Sequence, residues 1–258
     1  MKRFLTVGFG LVAYGVFLAT FLYAIGFTSG AVVPKAIDDG EAGGLAGAVA
    51  VDLALLTLFA VQHSAMARPA FKRRWTRVVP EPVERSAFVL LASLALALLF
   101  WQWRPIPAPV WDVGGGAGTA LRVVSWAGWG LVLVSTFLIS HLELFGVRQV
   151  LAHGTGDAPP EPTFRTPSLY RHVRHPIYLG FLLAFWATPS MTAGHLLFAA
   201  TTAAYILVGI RLEERDLVRL FGDRYLAYRE RVGMLLPVVG GRRRPASGVA
   251  GHAADAGG

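Results

Sequence analysis

Four groups of polar side chains stand at the ends of long apolar runs: Gln62 and His63; His141 and Glu143; His172, Arg174 and His175; and Arg211, Glu213, Glu214, Arg215 and Asp216. Such groups are costly next to lipid and tend to mark function. Their types define the chemistry on offer. An imidazole can move a proton near neutral pH, a guanidinium grips a carboxylate or phosphate, and paired carboxylates attract an ammonium or a diol. The chain has no cysteine, which excludes a thiolate nucleophile, a disulfide framework and a thiolate metal site; no metal centre is expected. Each group also has a plain reading. His63 and His141 could be hydrogen-bond partners between helices or a haem-ligating pair. His175-Pro176 could be a turn with proline at the first helical position. Arg211 to Asp216 could be a solvated helical turn.

The elements that must position these groups are membrane helices. Of the 258 residues, 54% are hydrophobic and only 16% charged, against roughly 25% charged in soluble domains. Apolar runs of about 20 residues, enough to cross a bilayer, cover 4–27, 45–66, 86–103, 123–145 and 192–210. The first reads as a retained anchor, being too long for a signal-peptide core. The run 177–188 is shorter and ends at Pro189; it is either a tilted span or a re-entrant half-helix. These runs predict an all-α polytopic helical bundle with five to six membrane helices, occupying residues 1–239. The Gly/Ala-rich tail 240–258, with Arg242, Arg243 and Arg244, reads as disordered and near anionic lipid.

Six crossings with the N-terminus inside put 21 of the 24 Lys and Arg residues on the cytoplasmic side, so both termini are expected there. The same basic loops account for the net charge of +8 without nucleic acid. In this arrangement every polar group above falls at the cytoplasmic end, and Asp52 is the main exception. Trp101, Trp103, Trp111, Trp126 and Trp129 are expected to form an interfacial belt at the other face.

The stretch LYRHVRHPIYLG (169–180), an apolar hairpin, and GIRLEERDLVRLFGDRYLAYRERV (209–232) together resemble the isoprenylcysteine carboxyl methyltransferase superfamily of membrane enzymes. Upstream, QHSAMARPAFKRRWTRVVPEPVERS (62–86), LLFWQWRPIP (98–107), SHLELFGVRQV (140–150) and FWATPSMTAGHLLFA (185–199) look like its bacterial methanethiol S-methyltransferase branch. The resemblance covers most of the chain apart from the tail. It implies a bacterial inner-membrane enzyme that uses S-adenosylmethionine to methylate a small thiol, giving dimethyl sulfide from methanethiol.

On that resemblance, the cofactor's carboxylate falls to Arg174, His175 and the helix that starts at Pro176 and continues through Tyr178, Leu179 and Gly180. Its ammonium and ribose fall to Glu213 and Glu214. Tyr178, Tyr225 and Tyr228 would stack on adenine or face the sulfonium, and residues 217–232 would form an interfacial helix roofing the site. A thiol is mostly protonated at neutral pH, so a base or positive field is needed. His63, His141 and Arg211 are the candidates, with Glu143 orienting a histidine. The competing readings are another thiol, a prenylcysteine or a lipid amine as acceptor, a non-enzymatic haem-binding subunit, and, more weakly, a transporter. Oligomeric state is not legible.

Overall fold

The computed structural model describes residues 2–158 and 164–237; the tail expected to be disordered lies outside them. Within the described residues the chain is a bundle of α1 (Lys2–Ser29), α2 (Leu45–Met66), α3 (Pro69–Trp75), α4 (Glu81–Gln102), α5 (Gly115–Ile139), α6 (His141–Leu144), α7 (Val147–Thr155), α8 (Pro176–Trp186), α9 (Ala193–Phe221) and α10 (Asp223–Arg231). Five of these, α1, α2, α4, α5 and α9, are long and apolar enough to cross a membrane. The chain is therefore an all-α integral membrane protein. One addition to that class is a two-stranded antiparallel ribbon of β1 (Pro109–Asp112) and β2 (Ser190–Thr192). The ribbon marks one end of the bundle, the sheet end. The opposite, basic end carries α3, α6, α7 and α10.

Two helices run further than apolar content suggests. α4 starts at Glu81, where Glu84 is buried and paired with Lys72 Nζ at 2.9 Å. α9 continues eleven residues past Ile210 to Phe221, because an arginine-rich helix needs no apolar surroundings once it leaves lipid. The expected continuous helix over 217–232 is broken instead at Gly222, whose φ of 56° favours a residue without Cβ. α10 then folds back.

The short run forms a helix that starts at the basic end and points toward the sheet end. α8 has 11 residues, about 16 Å of helix, and the extended segment after it reaches β2 at the sheet end. It is antiparallel to α5 and lies very close to it. A Cβ on Gly180 would sit 2.7 Å from the Gly128 carbonyl oxygen, and one on Gly128 would sit 2.6 Å from the Ala184 nitrogen. Ser125 Oγ donates to the Ala184 carbonyl at 2.9 Å. Small residues permit this backbone approach, the usual route to tight helix pairing in lipid. His195 Nε2 donates to the Phe185 carbonyl at 2.9 Å and ties the far end of α8 to α9.

The tryptophan expectation is corrected in part. Trp101 and Trp126 are exposed, as an interfacial belt requires, but Trp103 and Trp129 are buried in the central apolar cluster with Phe27, Phe100, Phe185 and Phe198. Asp52, the polar exception, is also structural. It is fully buried, and its Oδ1 accepts the Arg104 backbone N–H at 2.9 Å beyond the end of α4. Lys35 Nζ donates to the Trp101 and Trp103 carbonyls at 2.7 and 2.8 Å, satisfying groups that a helix C-terminus leaves open.

The close α5–α8 approach gives a direct test. Gly128→Ala should destabilise by about 2 kcal/mol through overpacking, lowering the unfolding temperature in detergent. Gly130→Ala, on the same helix with open space around its Cβ, should leave that temperature unchanged or slightly higher.

Candidate functional site

At the basic end the chain before α8 is held on three sides. The backbone N–H groups of Arg174 and His175 donate to the Gly233 and Met234 carbonyls at 2.9 and 3.1 Å, so the strand after α10 lies beside the start of α8. Arg174 Nε donates to Glu214 Oε1 at 2.7 Å, and its terminal nitrogen donates to the Arg229 and Val232 carbonyls. His175 Nε2 lies 3.1 Å from the same Glu214 oxygen. Arg229 Nε closes the other Glu214 oxygen at 3.3 Å. The side chains of Arg174 and Glu214 are only 11% and 9% exposed. Both are saturated by the protein.

Glu213 differs in each of these respects. Its side chain is 44% exposed, Tyr178 OH donates to its Oε2 at 2.9 Å, and His175 Nδ1 is 3.9 Å from it. His175 thus stands between the two carboxylates, fixed by Glu214 on one ring nitrogen and facing Glu213 with the other. Glu213, Tyr178 and His175 form the open half of the cluster.

A second set of residues closes on this half from α2. Arg68 Nη1 pairs with Asp216 Oδ2 at 2.8 Å, and Ser64 Oγ lies 3.4 Å from Tyr205 OH. His63 packs its ring against Phe59, Phe88 and Tyr205, with centroids 5.3, 4.9 and 6.5 Å away. Its Nδ1 is buried with no hydrogen-bond partner among the described residues. Tyr205 and Arg68 lie within electrostatic reach of Tyr178, which joins the α2 set to the α8 set. Tyr205, Ser64, Arg68 and Asp216 are not among the residues expected from the sequence. The signal for two of them is present there: Tyr205 and Asp216 are eleven residues apart, three helical turns, and so share one face of α9.

Other expected residues lie elsewhere. His141 is buried, with Thr136 Oγ1 2.9 Å from Nδ1 and Tyr14 OH 2.9 Å from Nε2. Thr136 gives its own proton to the Leu133 carbonyl at 2.7 Å, so Nδ1 carries the hydrogen and Nε2 accepts from Tyr14. Neither ring nitrogen is free for a metal or a ligand proton, and no group of three or more metal-ligating side chains forms among the described residues. Glu143 pairs with Arg148 at 3.3 Å and not with a histidine. Gly180 packs on α5. Tyr225 and Tyr228 are buried with Val232, against Phe164, Leu217 and Phe221, and join α10 to the rest of the protein. Tyr228 donates to the Tyr170 carbonyl, and burial pushes its phenol up to about 12, so it remains a donor. Arg211 faces a separate groove with Arg215, Arg219 and Arg229.

The two adjacent glutamates should therefore behave differently. Glu214→Gln leaves buried Arg174 without its counter-charge and should cost about 3–5 kcal/mol. Glu213→Gln, half-exposed, should cost under about 1 kcal/mol. Thermal unfolding of the two variants in detergent checks the difference; equal losses would contradict this division.

The family described as NnrU protein matches residues 53–212, from α2 to the residue before Glu213. The chain is 58% identical to Methanethiol S-methyltransferase 1 of Bradyrhizobium diazoefficiens, covering 91% of this chain and 83% of that protein. It is 56% identical to Methanethiol S-methyltransferase of Mycobacterium tuberculosis, covering 92% and 98%. A more distant similarity, 33% identity over 65% of the chain and 62% of the relative, links it to Nurim of Xenopus laevis. No solved structure matches. The chain belongs to the NnrU proteins and to the methanethiol S-methyltransferase family.

Proposed function

We propose that the protein transfers the methyl group of S-adenosylmethionine to methanethiol, releasing dimethyl sulfide and S-adenosylhomocysteine. The names of its relatives support the acceptor. The observation that carries the reading is the pairing of an open carboxylate set, Glu213 with Tyr178 and His175, with the imidazole of His63, whose buried Nδ1 has no partner among the described residues. That donor set fits the cofactor. Glu213 is free to meet an ammonium or ribose diol, Tyr178 offers an aromatic face for a cation, and the first turn of α8 has N–H groups for a carboxylate. When bound, the cofactor supplies an electrophilic methyl group on a sulfonium.

The residues of this chain supply the rest. Glu214 and Arg174 orient His175 instead of touching the ligand. His63 takes the thiol proton at Nδ1; the thiol is mostly protonated at neutral pH, and a positioned base contributes about 10²–10⁴-fold. Phe59, Phe88 and Tyr205 surround that imidazole with apolar surface, which suits a small neutral thiol arriving from lipid and excludes water from the sulfur. With the thiol proton held at His63, the sulfur would be free to accept the methyl group that a bound cofactor would supply. His141 supports the α1–α5 junction, and Arg211 acts at most through the field it adds. The distribution of Lys and Arg supports a bacterial inner-membrane protein with the basic end and both termini in the cytoplasm.

Membranes holding the protein should release dimethyl sulfide into the headspace only when given both methanethiol and S-adenosylmethionine, as read by gas chromatography against empty membranes. His63→Gln should lower turnover at least about 100-fold with cofactor affinity retained. Glu213→Gln should weaken cofactor affinity about tenfold, the loss of one charge-assisted hydrogen bond. Folded protein that binds the cofactor yet makes no dimethyl sulfide would reject methanethiol as acceptor. Failure to bind the cofactor at all would reject methyl transfer.

A further inference from the structure

α9 presents two chemically distinct faces. Tyr205 and Asp216 look toward α2, whereas Arg211, Glu214, Arg215 and Val218 look toward α10, the i, i+3, i+4, i+7 pattern of a single stripe. With Arg219 and Arg229 they line a groove of about 420 Å³ between the two helices. Four guanidiniums therefore face one carboxylate, and Glu214 is already shared with Arg174 and His175. Arg229 has only part of Glu214. Arg219 reaches Asp216 at 3.6 Å, but that carboxylate is held by Arg68. Arg211 and Arg215 have no carboxylate within ion-pair distance among the described residues. Like charges at i, i+4 repel, so Arg211, Arg215 and Arg219 form a stripe that an anion would relieve.

The depth of the stripe identifies the anion. Counted from Ala193 at the sheet end, Arg211, Arg215 and Arg219 lie about 27, 33 and 39 Å along α9 at 1.5 Å per residue. The hydrocarbon layer is about 30 Å thick, and about 40–45 Å with headgroups; with Ala193 at the far edge of that layer, Arg215 and Arg219 reach the headgroup region of lipid phosphates and Arg211 lies at its inner border. Leu226, three residues before Arg229 on α10, is exposed and gives an acyl chain an apolar surface on the helix that forms one wall of the groove. Guanidinium forks match phosphate oxygens in pairs.

We infer that the groove between α9 and α10 binds the phosphate of an anionic glycerophospholipid from the leaflet at the basic end, the inner leaflet in the orientation proposed above. The site does not depend on the methyl-transfer reading. It does place a lipid headgroup against Arg229, one helix turn before the Val232 carbonyl that holds Arg174, so an occupied groove braces the segment that positions His175.

The test uses the purified full chain in detergent and native mass spectrometry with phosphatidylglycerol or phosphatidylcholine. The wild type should retain phosphatidylglycerol in preference to phosphatidylcholine. Arg215→Gln/Arg219→Gln, which spares Arg211 and Arg229, should weaken phosphatidylglycerol about 30-fold, from about fivefold for each cation at a membrane surface. Phosphatidylcholine binding and the unfolding temperature should stay as in the wild type. Equal retention of the two lipids, or a double variant with unchanged phosphatidylglycerol affinity, would overturn the inference. Displacement of the lipid by millimolar inorganic phosphate would show a free-anion site instead. A double variant that loses S-adenosylmethionine while keeping phosphatidylglycerol would assign the groove to the cofactor.

Discussion

The carboxylate of Glu214 is the constraint on which the basic end depends. One buried side chain meets Arg174 and His175 from the segment before α8 and Arg229 from α10, so three parts of the chain, distant in sequence, converge on a single charge. A buried charge left alone would be prohibitive; a buried charge with this many donors is held in one geometry. The consequence for function is indirect. Because Glu214 is fully used, its neighbour Glu213 is free, and the imidazole of His175 is turned so that its second nitrogen faces Glu213. Two adjacent glutamates divide between scaffold and site because consecutive residues on a helix point about 100° apart.

The depth of that cluster is set elsewhere, by the approach of Gly180 to Gly128. α8 is short; α5 lets its backbone in close, and an extended stretch completes the path from the basic end to β2. Its start is thereby fixed at the basic end of the bundle, where the apolar runs give way to charged residues. The sulfur chemistry proposed for the site needs that position. A small neutral thiol partitions into lipid, while the methyl donor is charged and comes from the aqueous side; the junction of the two phases is where both can be held.

What was legible in the sequence follows the strength of each physical signal. The apolar runs are long and unbroken, so five spans and the class of fold are readable from hydropathy, as is the convergence of polar groups at one end. Helix ends are less so: α9 runs on to Phe221 because propensity and ion pairs sustain a helix that hydropathy no longer marks. Trp103 and Trp129 show the limit of composition, since a tryptophan near the bilayer surface reads the same whether it faces lipid or the core. His141 shows the limit of residue type. Its hydrogen bonds to Thr136 and Tyr14 come from helices whose relative rotation no sequence pattern fixes. Arg174 and Glu214 are identified by the motif, but that they face each other is a tertiary fact.

The two faces of α9 finally account for why one helix carries so many charges. A membrane helix that only anchored the chain would end near Ile210 with a few basic residues. Here the next eleven residues hold Glu213 toward α8, Asp216 toward α2, and Arg211 and Arg215 toward α10, so each turn serves a different neighbour. Such a segment cannot rotate by even one residue without moving Glu214 to the direction now held by Glu213 or Arg215 and turning Tyr205 away from His63. The ion pair of Arg68 with Asp216 on one side and the Glu214 cluster on the other fix that rotation from opposite directions. The relation of the imidazole of His63 to the carboxylate of Glu213 is therefore held by charges that touch neither of them.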